Sequence, residues 1–255
     1  MPVQISRVVL VAAAMALLGM ALGAAPKPKP AAGEKPREFK VFNNMAYAGQ
    51  PDLSKEGLIH SAIIYQEAIW KDRKAGHMPE EQAYKDVVTK KNVAAGGVIV
   101  LDIEDSKNYK NFVTLVKWTH EACPGSIVGF YAHGTESKEL AKAVDAFFPE
   151  AYTFSDNRAG WKGTLEKAIK QAHAMAPGKP VYPYMWPQYH HGAPKSWQFV
   201  SGDYWKFQLD TARQCGANGV VLWGASELKG TKQPGWKENA PWWQATLKFM
   251  AELKQ

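Results

Sequence analysis

The sequence is poor in cysteine and lacks the short motifs that identify several large enzyme classes. It has two cysteines among 255 residues, which excludes a small fold held together by disulfides. It contains no Gly-x-Ser-x-Gly segment for a nucleophilic serine and no His-Glu-x-x-His helix for zinc. No Gly-rich phosphate loop follows the first predicted strand, which disfavours a nucleotide-binding fold.

The sequence also gives no support for a disulfide, a metal site or nucleic-acid binding. Cys123 and Cys215 precede predicted strands that would not be neighbours in a sheet, so we expect two buried thiols. His190 and His191 lie in a predicted loop without the ligand spacing of a metal site, so no cofactor is expected. The formal net charge of +7 would attract an anionic partner, but no Lys/Arg cluster is dense enough to indicate nucleic-acid binding.

The N-terminal region predicts export. Residues 1–25 form a signal peptide in which Arg7 precedes an apolar run from Val8 to Leu22 and small residues follow. The run is short for a membrane span, and no cysteine is available there to carry a lipid. Residues 26–38 alternate proline with lysine, which predicts an extended linker. We expect a secreted or periplasmic protein without membrane contact once the signal is removed.

Residues 39–255 predict one domain in which strands and helices alternate. Seven apolar runs indicate strands, at 39–43, 61–65, 98–104, 127–131, 151–154, 180–185 and 219–224. Helical patterns occupy 79–91, 138–147, 163–176 and 203–215, and a further apolar helical face includes Phe112 and Leu115. Alternation of this kind predicts a parallel sheet, and a TIM-like (β/α) barrel of seven or eight parallel strands is the leading fold. An open doubly wound sheet is the alternative.

The third strand carries the clearest chemical signal. Because side chains alternate along a strand, Val98, Val100, Asp102 and Glu104 share one face. Two acids at the carboxyl end of a parallel strand lie where α/β barrels hold their chemistry. The alternative is that these acids cap the next helix, but Glu104, two residues after Asp102 on an otherwise apolar face, fits that role poorly. We therefore interpret Asp102 and Glu104 as a catalytic or ligand-binding pair.

Acids and aromatic rings dominate the carboxyl ends of the other predicted strands. Parallel strands bring these ends to one pocket, and acids among rings suit cleavage of a glycosidic bond. Glu104 would donate a proton while Asp102 orients the substrate's own N-acetyl group, although Asp156 or Glu227 could be a separate nucleophile. The strand-end residues are Glu67, Asp102, Glu104, Tyr131, His133, Tyr152, Asp156, Tyr184, Trp186, Tyr189, Trp223 and Glu227.

Several segments resemble, in order, the hyaluronidases, which are secreted barrel enzymes that cleave polysaccharides containing N-acetylhexosamine. The segments lie at 39–44, 97–104, 148–152, 183–184 and 216–223. The resemblance implies that Glu104 is the proton donor and that Asp102 holds the N-acetyl group for internal attack. It also implies that Tyr152, Tyr184 and Trp223 line the pocket.

The chain departs from this family in ways that bear on the substrate. Ile103 stands where the family has tryptophan, the family's paired cysteines are missing, and the chain is short. Another exported glycan with N-acetyl sugars therefore fits as well as hyaluronan does. A weaker likeness, at residues 101–104 and 128–131, is to barrel-type muramidases acting on peptidoglycan. The alternative from a different class is a non-catalytic barrel that binds a polysaccharide.

Overall fold

Six parallel strands form the central sheet of the protein. A computed structural model describes residues 38–70, 77–103, 109–225, 227–228 and 230–255, with the backbone alone at 109, 110, 227 and 228. The strand order is β4-β3-β2-β1-β6-β5, and every neighbouring pair is parallel. The strands are β1 (Lys40–Ala46), β2 (Ile59–Tyr65), β3 (Val98–Asp102), β4 (Ile127–Phe130), β5 (Tyr184–Met185) and β6 (Gly219–Ala225). This arrangement confirms the predicted α/β barrel class.

A segment between β4 and β5 joins the two edges of the sheet. Single parallel bridges link Tyr131 to Phe148 and Glu150 to Tyr184, so the ring of strands is closed by isolated bridges rather than by a ladder. The predicted strand at 151–154 is not formed, and the predicted strand at 180–185 is confined to β5. Proline lacks a backbone N–H, and Pro149, Pro180 and Pro183 interrupt the hydrogen bonding that longer strands need.

Helices follow most of the strands, and their ends show where the sequence reading was inexact. The helix predicted at 138–147 ends at Ala143, because Val144 is extended and buried. The helix predicted from 163 begins at Arg158, where the Asn157 side chain accepts a bond from the Gly160 N–H. The helices are α1 (Gln66–Ile69), α2 (Glu81–Thr89), α3 (Tyr109–Ala122), α4 (Lys138–Ala143), α5 (Arg158–Met175), α6 (Gly202–Gln214) and α7 (Pro241–Leu253).

A short 3-10 helix and a hairpin lie outside the central sheet. A 3-10 helix (Leu53–Glu56) follows β1, and β7 (Glu227–Leu228) pairs with β8 (Thr231–Lys232) as an antiparallel hairpin. Within the described ranges, no helix has the length and apolar character needed to cross a bilayer. No disulfide joins Cys123 and Cys215, and both residues are half-buried rather than buried.

The core has two parts, one on each face of the strands. Val98 and Val100 of β3 pack with Phe42 and Tyr184 inside the ring, whereas Ile99 and Leu101 pack in the larger cluster with helical residues. This alternation is the one predicted from the sequence. It turns Asp102, the next residue on the Val98 face, toward the inside of the ring at its carboxyl end.

The interior of the ring leaves no room for a side chain at Gly129 of β4. A Cβ atom there would lie 2.4 Å from the Ala146 carbonyl oxygen and 2.7 Å from the Phe148 ring. We expect Gly129→Ala to lower the free energy of unfolding by about 1–3 kcal/mol, and thermal unfolding followed by circular dichroism measures it.

Gly163 of α5 is the matched control, because a Cβ atom there meets nothing within 4 Å. Alanine is the better helix former, so Gly163→Ala should stabilise the protein by about 0.5–1 kcal/mol. A melting temperature for Gly129→Ala equal to or above that of Gly163→Ala would contradict the described packing of the ring.

Candidate active site

Asp102 ends β3 at the carboxyl end of the ring. It lies in register with Tyr65, the last residue of β2, and it is half-buried. Burial raises the pKa values of Tyr65, Tyr131, Tyr152 and Tyr184, and the negative charge of Asp102 raises each of them further. The charge of Asp102 therefore acts on four tyrosines, whose hydroxyls stay protonated at neutral pH.

Five rings, three of them from tyrosines named above, form one cluster, here called the aromatic cluster. Tyr131 lies 5.3 Å from Tyr184 and 5.9 Å from Tyr152, measured between ring centroids. Tyr152 lies 5.9 Å from Trp223, and Trp223 lies 4.9 Å from Trp186. Tyr131, Tyr152 and Trp223 are half-buried, so the cluster presents part of its surface to a ligand. The structure thus brings together five of the predicted binding residues.

The cluster contains one buried hydroxyl without a partner. Tyr184 is fully buried, and its hydroxyl has no hydrogen-bond partner among the described residues. Such a group usually finds a partner, because leaving it unpaired costs about 1–3 kcal/mol. A substrate oxygen is one group that could accept this hydrogen.

Tyr65 is a site residue that the sequence reading missed. The Trp223 Nε1–H donates to the Tyr65 hydroxyl at 3.1 Å, which ties the ends of β2 and β6 together. Tyr65 is exposed to 39%, so it borders the open side of the site. The sequence places Tyr65 at the end of the second predicted strand, and this position could have indicated a site residue. The prediction instead took Glu67, two residues further on.

Glu150 is the second residue that was missed. Burial raises the pKa of Tyr131, and the charge of Glu150 raises it further. Glu150 also lines two cavities of about 230 Å³ and 200 Å³, one beside Tyr152 and one beside His133. Glu150 lies in the 148–152 segment, which contains Tyr152. Its place in that segment could have indicated a site residue.

Asp156 has a different set of partners from Asp102. Its carboxylate accepts a hydrogen bond from the Tyr189 hydroxyl and pairs with the Lys195 ammonium at 2.5 Å. The Lys195 bond, followed by the Tyr189 bond, lowers the pKa of Asp156. Burial raises the pKa values of Tyr189 and Tyr204, which do not belong to the aromatic cluster, and Asp156 raises them further. The structure therefore gives Asp156 an ion pair on an exposed loop.

The remaining predicted site residues are placed only in part. Glu104 lies outside the described residues, and β3 ends before it, at Asp102. That the Glu104 side chain points to the same side as Asp102 therefore stays a prediction. Glu227 begins β7, but its side chain lies outside the description. Trp186 is buried and donates to Gln188 at 3.0 Å.

The histidines near the site have packing partners. His190 was expected in a solvated loop, yet its ring lies 5.8 Å from Tyr152 and 4.6 Å from Phe154. His133 contacts Glu136 at 2.6 Å. Where the chain is described, no three His, Cys, Asp or Glu side chains converge to hold a metal.

Comparison with known proteins establishes the fold. No family model matches the sequence, and no curated protein sequence matches it. The crystal structure of bee venom hyaluronidase superposes with a TM-score of 0.62 at 15% identity, covering 85% of this chain and 97% of that one. Bee venom hyaluronidase in complex with a hyaluronic acid tetramer gives 0.59 at 14% identity, covering 86% and 97%. The likeness predicted from the sequence is confirmed for the fold: this chain has the α/β barrel architecture of bee venom hyaluronidase.

Proposed function

We propose that this protein is a glycoside hydrolase that cleaves a polysaccharide containing N-acetylhexosamine. The observation that carries the proposal is the position of Asp102 at the carboxyl mouth of the ring, where its charge adds to the effect of burial in raising the pKa values of four tyrosines. Two tryptophans, Trp186 and Trp223, complete the wall. Carboxylates and aromatic faces are the groups that bind and cleave sugars. The shared fold with a hyaluronidase agrees with this chemistry.

The proposed reaction uses two acids and the substrate's own N-acetyl group. Asp102 accepts a hydrogen bond from the acetamido N–H and aligns the acetamido carbonyl oxygen with the anomeric carbon. That oxygen bonds to the carbon as the glycosidic C–O bond breaks, and Glu104 gives its proton to the leaving oxygen. Water then attacks the same carbon as its bond to the acetamido oxygen breaks, which restores the N-acetyl group, and Glu104 takes up the proton from that water.

The tyrosines act as hydrogen-bond donors in this proposal. Burial and the Asp102 charge raise the pKa of Tyr184 and of Tyr152, so neither is ionised at neutral pH. The unpartnered Tyr184 hydroxyl would donate to the acetamido carbonyl oxygen and hold it in line with the anomeric carbon. Tyr152 and Trp223, which are half-buried, would pack against the sugar ring.

The proposal predicts that Asp156 and Glu227 are dispensable for the chemistry. Asp156 pairs with Lys195 and acts on tyrosines outside the cluster. We expect Asp156→Asn and Glu227→Gln to keep kcat within about threefold, since neither removes a group that changes charge in the transition state. Steady-state kinetics measure this. A loss of about 10³-fold in either variant would instead identify a carboxylate nucleophile.

The substrate class is tested by product formation. The purified protein is incubated with hyaluronan, chondroitin, chitin oligomers and peptidoglycan, and new reducing ends are counted. Cleavage of any of the first three supports the proposal, whereas cleavage of peptidoglycan alone identifies a muramidase. Binding without cleavage of all four identifies a glycan-binding barrel and overturns the proposal.

We also propose that the protein works outside the cytoplasm, where such polysaccharides lie, after residues 1–25 are removed. The support is the sequence pattern at 1–25, which lies outside the described residues. Mass spectrometry of the mature protein recovered outside the cytoplasm should show an N-terminus close to residue 26. Recovery of the intact chain from the cytoplasm would contradict export.

A further inference from the structure

A second cavity lies outside the aromatic cluster, at the start of α7. Its volume is about 440 Å³, which is within the usual range for small-ligand sites. Four of its lining residues are aromatic: Tyr47, Phe199, Trp236 and Trp242. Phe199 and Trp242 stack with ring centroids 5.8 Å apart, and Trp236 meets Trp242 edge-on at 5.6 Å. The cavity therefore has flat apolar walls.

Trp242 supplies a donor without an acceptor. Its side chain is 2% exposed, and its indole N–H has no hydrogen-bond partner among the described residues. By contrast, the indole N–H groups of Trp161, Trp186 and Trp205 all have acceptors. A buried tryptophan usually pairs this group. Trp242 also lines the cavity, so a ligand bound there is the candidate acceptor for this N–H.

The charges around the cavity favour an anion. None of the lining residues is acidic, and Lys237 is the charged one among them. Ala240, the N-cap of the 13-residue helix α7, makes no side-chain cap bond, and Pro241 at the first position has no N–H, so the N–H groups that follow it lack a side-chain cap. The positive end of the helix dipole and the Lys237 ammonium both attract a carboxylate.

One wall of the cavity lies next to the carboxyl end of a strand of the ring. Tyr47 follows the carboxyl end of β1, and its hydroxyl donates to Gln188 Oε1 at 2.9 Å. Trp186 of the cluster donates to the same oxygen at 3.0 Å. One buried glutamine therefore joins a wall of the cavity to the cluster.

We propose that this cavity binds an acidic sugar unit. The carboxylate is held by Lys237, the start of α7 and the Trp242 N–H, and the sugar ring packs between the aromatic walls. The site deepens the proposed function by assigning a carboxylated sugar to the glycan. It concerns binding alone, so it does not require that Asp102 and Glu104 cleave anything.

The test is calorimetry of the full chain with sodium glucuronate and with N-acetylmuramic acid, against glucose and N-acetylglucosamine. We expect the two acids to bind and the two neutral sugars to bind at least roughly tenfold more weakly, since one charge-assisted contact supplies such a factor. Trp242→Phe keeps the ring and removes the N–H, and Lys237→Gln removes the charge. Each should weaken glucuronate binding roughly tenfold.

A control variant separates this site from the rest of the protein. Lys254→Gln, at the opposite end of α7, should bind glucuronate as the parent does. Melting temperatures show whether Trp242→Phe is folded. If Trp242→Phe is unfolded, the binding measured with Lys237→Gln decides the test. Equal affinity for acidic and neutral sugars, no binding of either acid, or unchanged binding in Lys237→Gln would overturn the proposal. Cleavage of a glycan by a parent that binds no acidic sugar would leave the proposed hydrolysis standing and remove only this site.

Discussion

Replacing Glu104 with glutamine is expected to lower kcat by about 10²- to 10⁴-fold, the usual contribution of a general acid. Glutamine has nearly the same shape as glutamate but cannot give a proton to the leaving oxygen. Substrate affinity, measured by calorimetry, should stay within about threefold of the parent because the ground-state contacts remain. Initial rates of reducing-end formation measure kcat.

The matched control for this variant is Glu166→Gln on α5. Glu166 is an exposed glutamate that pairs with Lys170 at 3.1 Å, outside the aromatic cluster. Its replacement should leave both kcat and affinity unchanged, since exposed ion pairs contribute little. An equal fall in kcat for both variants would point to a general loss of folded protein and not to lost acid catalysis.

Replacing Asp102 with asparagine is expected to lower kcat by about 10²- to 10³-fold on an N-acetylated substrate. The neutral amide cannot stabilise the positive charge that develops on the acetamido group as it attacks the anomeric carbon. The same substitution should matter little for any residual cleavage of a substrate without the N-acetyl group. Parallel kinetics on acetylated and deacetylated chitin oligomers measure this difference. A fall of the same size on both would contradict assistance by the substrate.

A spectroscopic readout separates this electrostatic role of Asp102 from a structural one. Burial raises the pKa of Tyr65, and the charge of Asp102 adds to the rise. In Asp102→Asn the burial remains and the charge is gone, so the pKa of Tyr65 should fall toward its ordinary value. Ultraviolet titration of the variant against the parent, with Tyr65→Phe to assign the signal, detects the change.

The position of Asp102 could be predicted because β3 is regular. A buried strand alternates its side chains strictly, so the face that Val98 and Val100 share with Asp102 follows from the sequence alone. Parallel strands also end on the same side of a sheet, which is why Tyr131, Tyr184 and Trp223 could be placed in one cluster. These predictions needed only local periodicity and one rule of topology.

The missed features depend on contacts between distant parts of the chain. Asp156 was a candidate nucleophile, but its partner Lys195 is 39 residues away, and no local pattern reports such a pair. Glu150 reaches Tyr131 because single bridges hold the 148–150 segment between β4 and β5. The predicted strand at 180–185 was shortened for a local reason, since Pro180 and Pro183 lack the backbone N–H groups that a longer strand needs.

The likeness to bee venom hyaluronidase shows the fold of this chain. Its chemistry has to be inferred from its own residues. Residues 39–255 keep the acid pair of the resemblance, and they add Glu150 at the wall and an aromatic cavity at the start of α7. Glu150 would repel a carboxylate near Tyr131, whereas Lys237 would attract one at the cavity. A glycan in which acidic and N-acetylated sugars alternate would satisfy both charges.

The central claim is that the acid two residues beyond Asp102 breaks glycosidic bonds in the mouth of the ring. The most direct measurement is a time course of reducing ends for the parent and Glu104→Gln, side by side, on the glycan that the parent cleaves fastest. We predict steady product formation by the parent and a rate at least about 10²-fold lower for the variant. Equal rates for the two proteins, with both folded, would contradict the account.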